Sequence, residues 1–290
     1  MFRSVALVAG LTLAVTACQD AEAPLSPSTE AGILGNGLSG TSRHYGEPVK
    51  VGNGRARAYV VIDNRAGSAV ELGVALDERA LEGLPAPMAG HPEGHDDMHE
   101  FILPLPSRSP APYQFVELDW NPQGHSAPFH SEPHFDFHFH KFTLAERNAI
   151  DVSDPSYADR AANFPAPEYI PAGYFSPSTL LGVPPVAVAI PRMGIHWIDP
   201  TSPEYPPQSQ QFTHTFIVGT WDGRVTFYEP MVTRAFLLGQ RDGSVPALEM
   251  QVPVARRHSP AGYYPDGYRV MWDAKAKEYR VAITGLAWRE

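Results

Sequence analysis

Residues 134 to 140 read HFDFHFH. Strict alternation over seven residues has the period of a β-strand, so His134, Asp136, His138 and His140 share one face and Phe135, Phe137 and Phe139 the other. Such a strand needs a packing surface for three phenylalanines, and its other face is free for chemistry. Thirty prolines and 24 glycines cut the rest of the chain into short β-type runs and argue against a helical protein. The expectation is a mainly β protein of antiparallel sheets, sandwich- or barrel-like, with a few short helices.

Local patterns place its elements. Arg57 to Asp63 and Val70 to Leu76 flank Asn64 to Gly67 as the arms of a hairpin. Asp77 is positioned to cap a short helix through Leu84, which Pro85 ends. Strands are expected at Glu100 to Leu105 and Gln114 to Trp120. Thr143 with Glu146 forms a capping-box pattern that opens a helix running to about Ile150. Residues 151 to 193 carry eight prolines and little periodicity, as a segment crossing the surface does. Beyond it, Phe212 to Thr220 and Arg224 to Glu229 pair across Trp221, Asp222 and Gly223, and Tyr268 to Trp272 pairs with Glu278 to Leu286.

At the N-terminus one basic residue, Arg3, precedes an apolar run from Val5 to Val15. The run is too short to span a bilayer and reads as a signal peptide. Val15, Thr16 and Ala17 before Cys18 resemble a bacterial lipobox, in which signal peptidase cuts before the cysteine and the cysteine is acylated. Residues 1–17 are thus expected to be a lipoprotein signal peptide, and 18–44 a flexible tether rich in Ala, Ser, Pro, Gly and Thr. Residues 45–290 form one β-rich domain, or two packed halves around the Pro-rich segment 151–193. This reading makes the protein exported and lipid-anchored in the bacterial cell envelope, touching the membrane through the anchor only. A net charge of −10 with scattered basic residues argues against nucleic acid as a partner.

Cys18 is the only cysteine, so with it lipidated any metal site must use His, Asp and Glu. Five of twelve histidines, His125, His130, His134, His138 and His140, fall within sixteen residues. Along a strand, side chains two apart start about 6.6 Å from one another and can converge on one ion, whereas those four apart start about 13 Å away. One strand therefore offers two ligands to a site. Zinc takes at least three protein groups at about 2.0 to 2.2 Å, so a third must come from elsewhere. His125 is the local candidate and His196 the distant one, with Asp119, Glu132, Asp199, Asp222 and Glu229 placed to complete or orient the set. A second cluster at His91, His95 and His99 has helical spacing, but Pro92 and Gly94 oppose a helix and an acidic loop is expected. There is no GxSxG motif and no glycine-rich phosphate loop between strand and helix, so neither nucleophilic catalysis nor nucleotide chemistry has support.

The segments LGVALDERALEGLP (72–85), LDWNPQGH (118–125), PHFDFHFH (133–140), MGIHW (193–197), FTHTFIVGTWDGRVTFYEPM (212–231) and KEYRVAITGL (277–286) resemble a bacterial family of exported proteins. Its representatives include a Thermus protein under sigma-factor control, and the family carries no established activity. It more often has Tyr where this chain has His140, which lowers the weight of His140 as a ligand. The resemblance implies functional polar positions at His125, His134, Asp136, His138, His196 and Glu229. A divalent-metal site, zinc by preference, is expected from the 134–138 strand with His196 and one of His125 or Glu229. It serves a binding or sensory module with an envelope-stress role, or a metal-dependent hydrolase or lyase with one position left for water and Glu229 or Asp136 as general base. The third class is a metal-free assembly protein whose histidines form a polar network. The sequence leaves open the small-molecule substrate and the oligomeric state, a homo-oligomer included.

Overall fold

The computed structural model describes residues 40–87, 98–125 and 129–290. The chain enters through β1 (Thr41–Tyr45) and β2 (Val49–Val51) and then forms the expected first hairpin from β3 (Gly54–Asp63) and β4 (Ser68–Asp77). Thr41 to His44, read above as tether, therefore lie in a strand. Next come β5 (His99–Pro104), β6 (Phe115–Asn121) and β7 (His134–His140), followed by three short helices, α1 (Leu144–Asn148), α2 (Tyr157–Ala162) and α3 (Pro177–Leu181). β8 (Ile195–Trp197), β9 (His214–Trp221) and β10 (Arg224–Thr233) lead into α4 (Arg234–Asp242). The chain closes with β11 (Leu248–Gln251), β12 (Gly262–Tyr264), β13 (Gly267–Asp273), β14 (Glu278–Thr284) and β15 (Ala287–Arg289).

Two antiparallel sheets result. One runs β1-β3-β4-β14-β13-β11, with β2 also on β3; the other runs β5-β6-β7-β10-β9-β8; β12 and β15 make a separate ribbon. Neither sheet closes on itself, so of the two expected architectures the sandwich is the one adopted. The core contains Val60, Leu72, Val74, Val281 and Ile283 from the first sheet and Val116, Leu118, Phe135, Phe137, Phe139 and Val218 from the second, all but fully buried. Each apolar side chain so buried contributes about 1.5–3 kcal/mol. The alternation of β7 is thereby satisfied on its phenylalanine side.

Local chemistry accounts for the connections. Asp222 and Gly223 both have positive φ, 48° and 75°, and they join Trp221 to Arg224 as a two-residue turn of the mirror-image type that matches strand twist. Thr143 and Glu146 form the expected capping box at the start of α1. The helix expected from Asp77 to Leu84 is absent. The Asp77 carboxylate instead accepts from the N–H groups of Arg55 and Arg79, at 2.9 and 3.0 Å, and closes a turn. The Pro-rich segment carries α2 and α3, and its Tyr157 and Ala161 pack with Phe142, Ile150 and Trp221. Among the described residues no helix is long and apolar enough to cross a membrane.

Candidate metal centres

β7 lies inside the second sheet between β6 and β10, and the pairing sets its polar face into rows. Glu117 of β6 is opposite His138, Asp119 opposite Asp136, and Asn121 opposite His134. On the other side Phe227 of β10 pairs with His140 and Met231 with Asp136, which puts Glu229 level with His138. β9 places Gly219 beside Phe227, and β8 places His196 beside Gly219. Period-2 alternation on three strands thus gathers Glu117, Asp119, Asn121, His134, Asp136, His138, His140 and Glu229 on one face. All eight are almost fully buried, although this face points away from the other sheet.

The six residues expected as ligands separate into two groups of three: His125, His134 and Asp136, and His138, His196 and Glu229. In the first, His134 Nε2 lies 3.2 Å from His125 Nε2 and 3.1 Å from Asp136 Oδ1, and His125 Nε2 lies 3.5 Å from Asp136 Oδ2. Tetrahedral ligation at about 2.0–2.2 Å spaces donor atoms by about 3.3–3.6 Å, close to these values. His134 Nδ1 is 2.6 Å from the carbonyl oxygen of Glu132; donating there leaves Nε2 with its lone pair facing the group. Asn121 donates to Asp136 Oδ2 at 2.8 Å and fixes the carboxylate. His125 reaches in from the loop after β6, where Gly124 has φ of 71° and a Cβ would collide with the backbone of His130 and Ser131.

In the second group Glu229 bridges two imidazoles: Oε1 lies 3.5 Å from His138 Nε2 and Oε2 lies 3.6 Å from His196 Nε2. Asp119 Oδ2 stands 3.2 Å behind His138 Nδ1, the place of a carboxylate that orients a metal-bound histidine. The Phe227 ring lies against both imidazoles, 4.7 Å from His138 and 5.2 Å from His196 between centroids. Gly219 makes room for it, since a Cβ there would run into that ring. The side chains of His125 and His196 retain 15% and 13% exposure, against 3% or less for the other four donors, so each group meets solvent at one histidine.

The fourth histidine of β7 belongs to neither group. His140 Nε2 lies 2.8 Å from Glu117 Oε2, which also accepts from Arg147 Nε at 3.0 Å, while Arg147 Nη2 pairs with Glu117 Oε1. Arg147 Nη2 also meets Glu100 Oε1 at 2.8 Å, itself 2.7 Å from Arg192 Nη1. His140 is therefore tied to the buried Glu117–Arg147 ion pair.

Electrostatics distinguish these parts. Burial pushes His125 and His140 below the usual histidine range and His138 down to about 4, so these rings are neutral at pH 7, the form that binds metal. Burial and the nearby carboxylates Glu117 and Asp136 push both Asp119 and Glu229 well up. Asp136 goes the other way: against burial, His134 and His125 beside it hold it below the usual carboxylate range. Glu117 also resists burial and is held at about 2 by His140, His138 and Arg147. Both oxygens of Asp119, both ring nitrogens of His138 and Oε2 of Glu229 are buried without a hydrogen-bond partner among the described residues. Orphaned buried polar atoms are rare, and five in one place fit a donor set made for a cation.

The remaining expected residues do other work. Glu132 contributes only its carbonyl, Asp199 accepts from Thr201, and Asp222 meets Arg160 and Asn163. His130 sits beside the first group, 3.3 Å from the Tyr205 hydroxyl and 3.6 Å from Glu204. His91 and His95 lie outside the described residues, and His99 Nε2 is 3.0 Å from the Ala86 carbonyl. Sequence reasoning missed Glu117, Arg147, Gly219 and Phe227. The alternation of β6, Glu117-Leu118-Asp119-Trp120-Asn121, holds the signal for the first of them.

Residues 64–120 match the profile of a family described as TTHB210-like: Hypothetical protein TTHB210, a Thermus family in keeping with the resemblance seen in the motifs. The matched stretch runs from the turn after β3 to Trp120 of β6, so it includes Glu117 and Asp119 and ends before both groups of three. No curated protein and no solved structure matches the chain.

Proposed function

We propose that this protein is an exported, lipid-anchored binder of divalent metal, holding one ion at His125, His134 and Asp136 and a second at His138, His196 and Glu229. The observation that carries this reading is the convergence of three donor atoms in each group at spacings near those of tetrahedral ligation, inside a face too deeply buried for solvent to satisfy. Imidazole and carboxylate donors without thiolate suit zinc better than magnesium or calcium, which prefer all-oxygen sites. The VTAC junction supports acylation at Cys18 and a place in the cell envelope.

Binding is favoured over hydrolysis by the roles the carboxylates take. Asp136 and Glu229, the expected general bases, sit within the donor sets, and Asp119 stands behind an imidazole, where burial and the neighbouring carboxylates push its pKa well up. Three protein donors still leave a fourth position for water, as in zinc hydrolases, and this keeps hydrolysis as the second reading. Elemental analysis after zinc loading and dialysis tests the proposal. Two equivalents are expected for wild type, one each for His134→Ala and His138→Ala, and two for His258→Ala. Unchanged stoichiometry in both of the first two variants overturns it.

A further inference from the structure

A cleft of about 170 Å³ opens elsewhere on the chain, large beside the ~10–15 Å³ that one water needs. Its lining includes Lys141, Arg224, Arg257 and His258 over a floor of Tyr228 and Tyr264 and, among the described residues, no carboxylate. In a chain of net charge −10 such a concentration of cations is unusual. Lys141 Nζ donates to the Ser259 carbonyl at 3.1 Å and lies 4.9 Å from the centre of the Tyr264 ring and 5.9 Å from that of Tyr228. Among the described residues neither Lys141 nor Arg257 pairs with a carboxylate, and Arg224 has only a 3.4 Å contact with exposed Glu146. We propose that this cleft binds a phosphate-class oxyanion.

Three considerations select that class. Two guanidinium groups and an ammonium match close to two negative charges, which a phosphate carries and a single carboxylate does not. Arg224 and Arg257 are exposed at the mouth, while Tyr228 and Tyr264 are buried at the floor, so an anion can enter without the fold opening. His258 packs on Tyr264 with ring centroids 4.2 Å apart, and burial with the Arg289 and Lys141 charges pushes it down to about 4, so it serves as a neutral hydrogen-bonding group. Burial and the Arg224 charge push the Lys141 ammonium down to about 7, the response of a cation without a counter-ion. The chemistry is shared by a soluble phosphate and a phospholipid headgroup.

Titration calorimetry with inorganic phosphate, and flotation with vesicles containing phosphatidic acid, both in a Cys18→Ser background with the cleft otherwise wild type so that no acyl chain carries the protein to the vesicle, test the site and separate the two sources. Wild type is expected to bind at least one probe, Arg257→Gln and Lys141→Met at least about tenfold more weakly, and Lys275→Gln as wild type. Arg257 is exposed, so its variant keeps the test valid should Lys141→Met fail to fold. Phosphate binding without flotation assigns a soluble ligand, and flotation alone assigns a headgroup. No binding of either probe, or equal binding by Arg257→Gln and wild type, overturns the proposal. Because phosphate also coordinates metal, loss on Arg257→Gln is what separates this cleft from the two metal groups.

Discussion

Arg147→Met removes the guanidinium that touches Glu117 and keeps an unbranched apolar side chain in the same space. Glu117 is fully buried, and its carboxylate would be left with His140 alone. Against burial, its pKa is drawn from the ordinary 4.5 down to about 2, first by the His140 hydrogen bond and then by His138 and Arg147, so the shift, about 3 kcal/mol in all, is only partly the work of Arg147. The larger cost is that the carboxylate is left buried without its guanidinium, which for a buried pair broken at one partner is about 3–5 kcal/mol. The pKa is depressed in the folded state, so this stability is present above pH 4.5 and lost as pH falls through about 2. Denaturant midpoints of wild type and variant at pH 7 should therefore differ by about 3 kcal/mol, and at pH 3 by about half as much. Replacing both partners, in Glu117→Gln with Arg147→Met, should recover most of the loss, because no charge is then buried alone. A deficit below about 1 kcal/mol at pH 7, or one equally large at pH 3, would refute the electrostatic account.

Other outcomes follow from the same geometry. Phe137→Ala, at a fully buried position between the sheets, should cost about 3–5 kcal/mol in a denaturation experiment and leave zinc stoichiometry unchanged in the folded protein. Without metal, Asp119 and Glu229 hold raised pKa values, so their contributions to stability are complete below the ordinary values of 3.8 and 4.5 and are lost as pH rises toward the raised ones. A bound cation opposes that loss, so a chelator should lower the melting temperature more at pH 8 than at pH 5, and an equal effect at both would count against a cation beside these acids. Cys18→Ser should abolish fatty-acid labelling and membrane partitioning, and an unlabelled wild type would end the lipoprotein reading.

What the sequence made legible, and what it did not, follows the range of the interactions involved. The strand at 134–140 and the capping box at Thr143 are written in neighbouring residues, through period-2 alternation and through a side chain reaching three positions along. Asp77 does take the Arg79 N–H on one oxygen as a cap would, but its other oxygen takes the Arg55 N–H from another strand, a partner that local pattern cannot contain, and the chain makes a turn there in place of a helix. The six candidate residues were legible by type, but the way the fold parts them into two groups was not. His196 reaches Glu229 only because a single strand, β9, lies between β8 and β10, and sheet order is a tertiary property. Likewise the alternation of β7 says that His134 and His138 share a face, while the division into two groups depends on a loop histidine at one end and an edge strand at the other. Arg147 was read as one residue of a short helix, and nothing near it in sequence marks Glu117 as its partner.

The central claim is that the polar face of the second sheet holds two separate ions. The most direct measurement is anomalous scattering at the zinc edge from crystals of the zinc-loaded protein. Two peaks are predicted, each about 2.0–2.2 Å from its donors: one beside Nε2 of His125, Nε2 of His134 and a carboxylate oxygen of Asp136, the other beside Nε2 of His138, Nε2 of His196 and a carboxylate oxygen of Glu229. A single ion shared across Asp136 and His138, or zinc bound only at surface residues, would contradict the account.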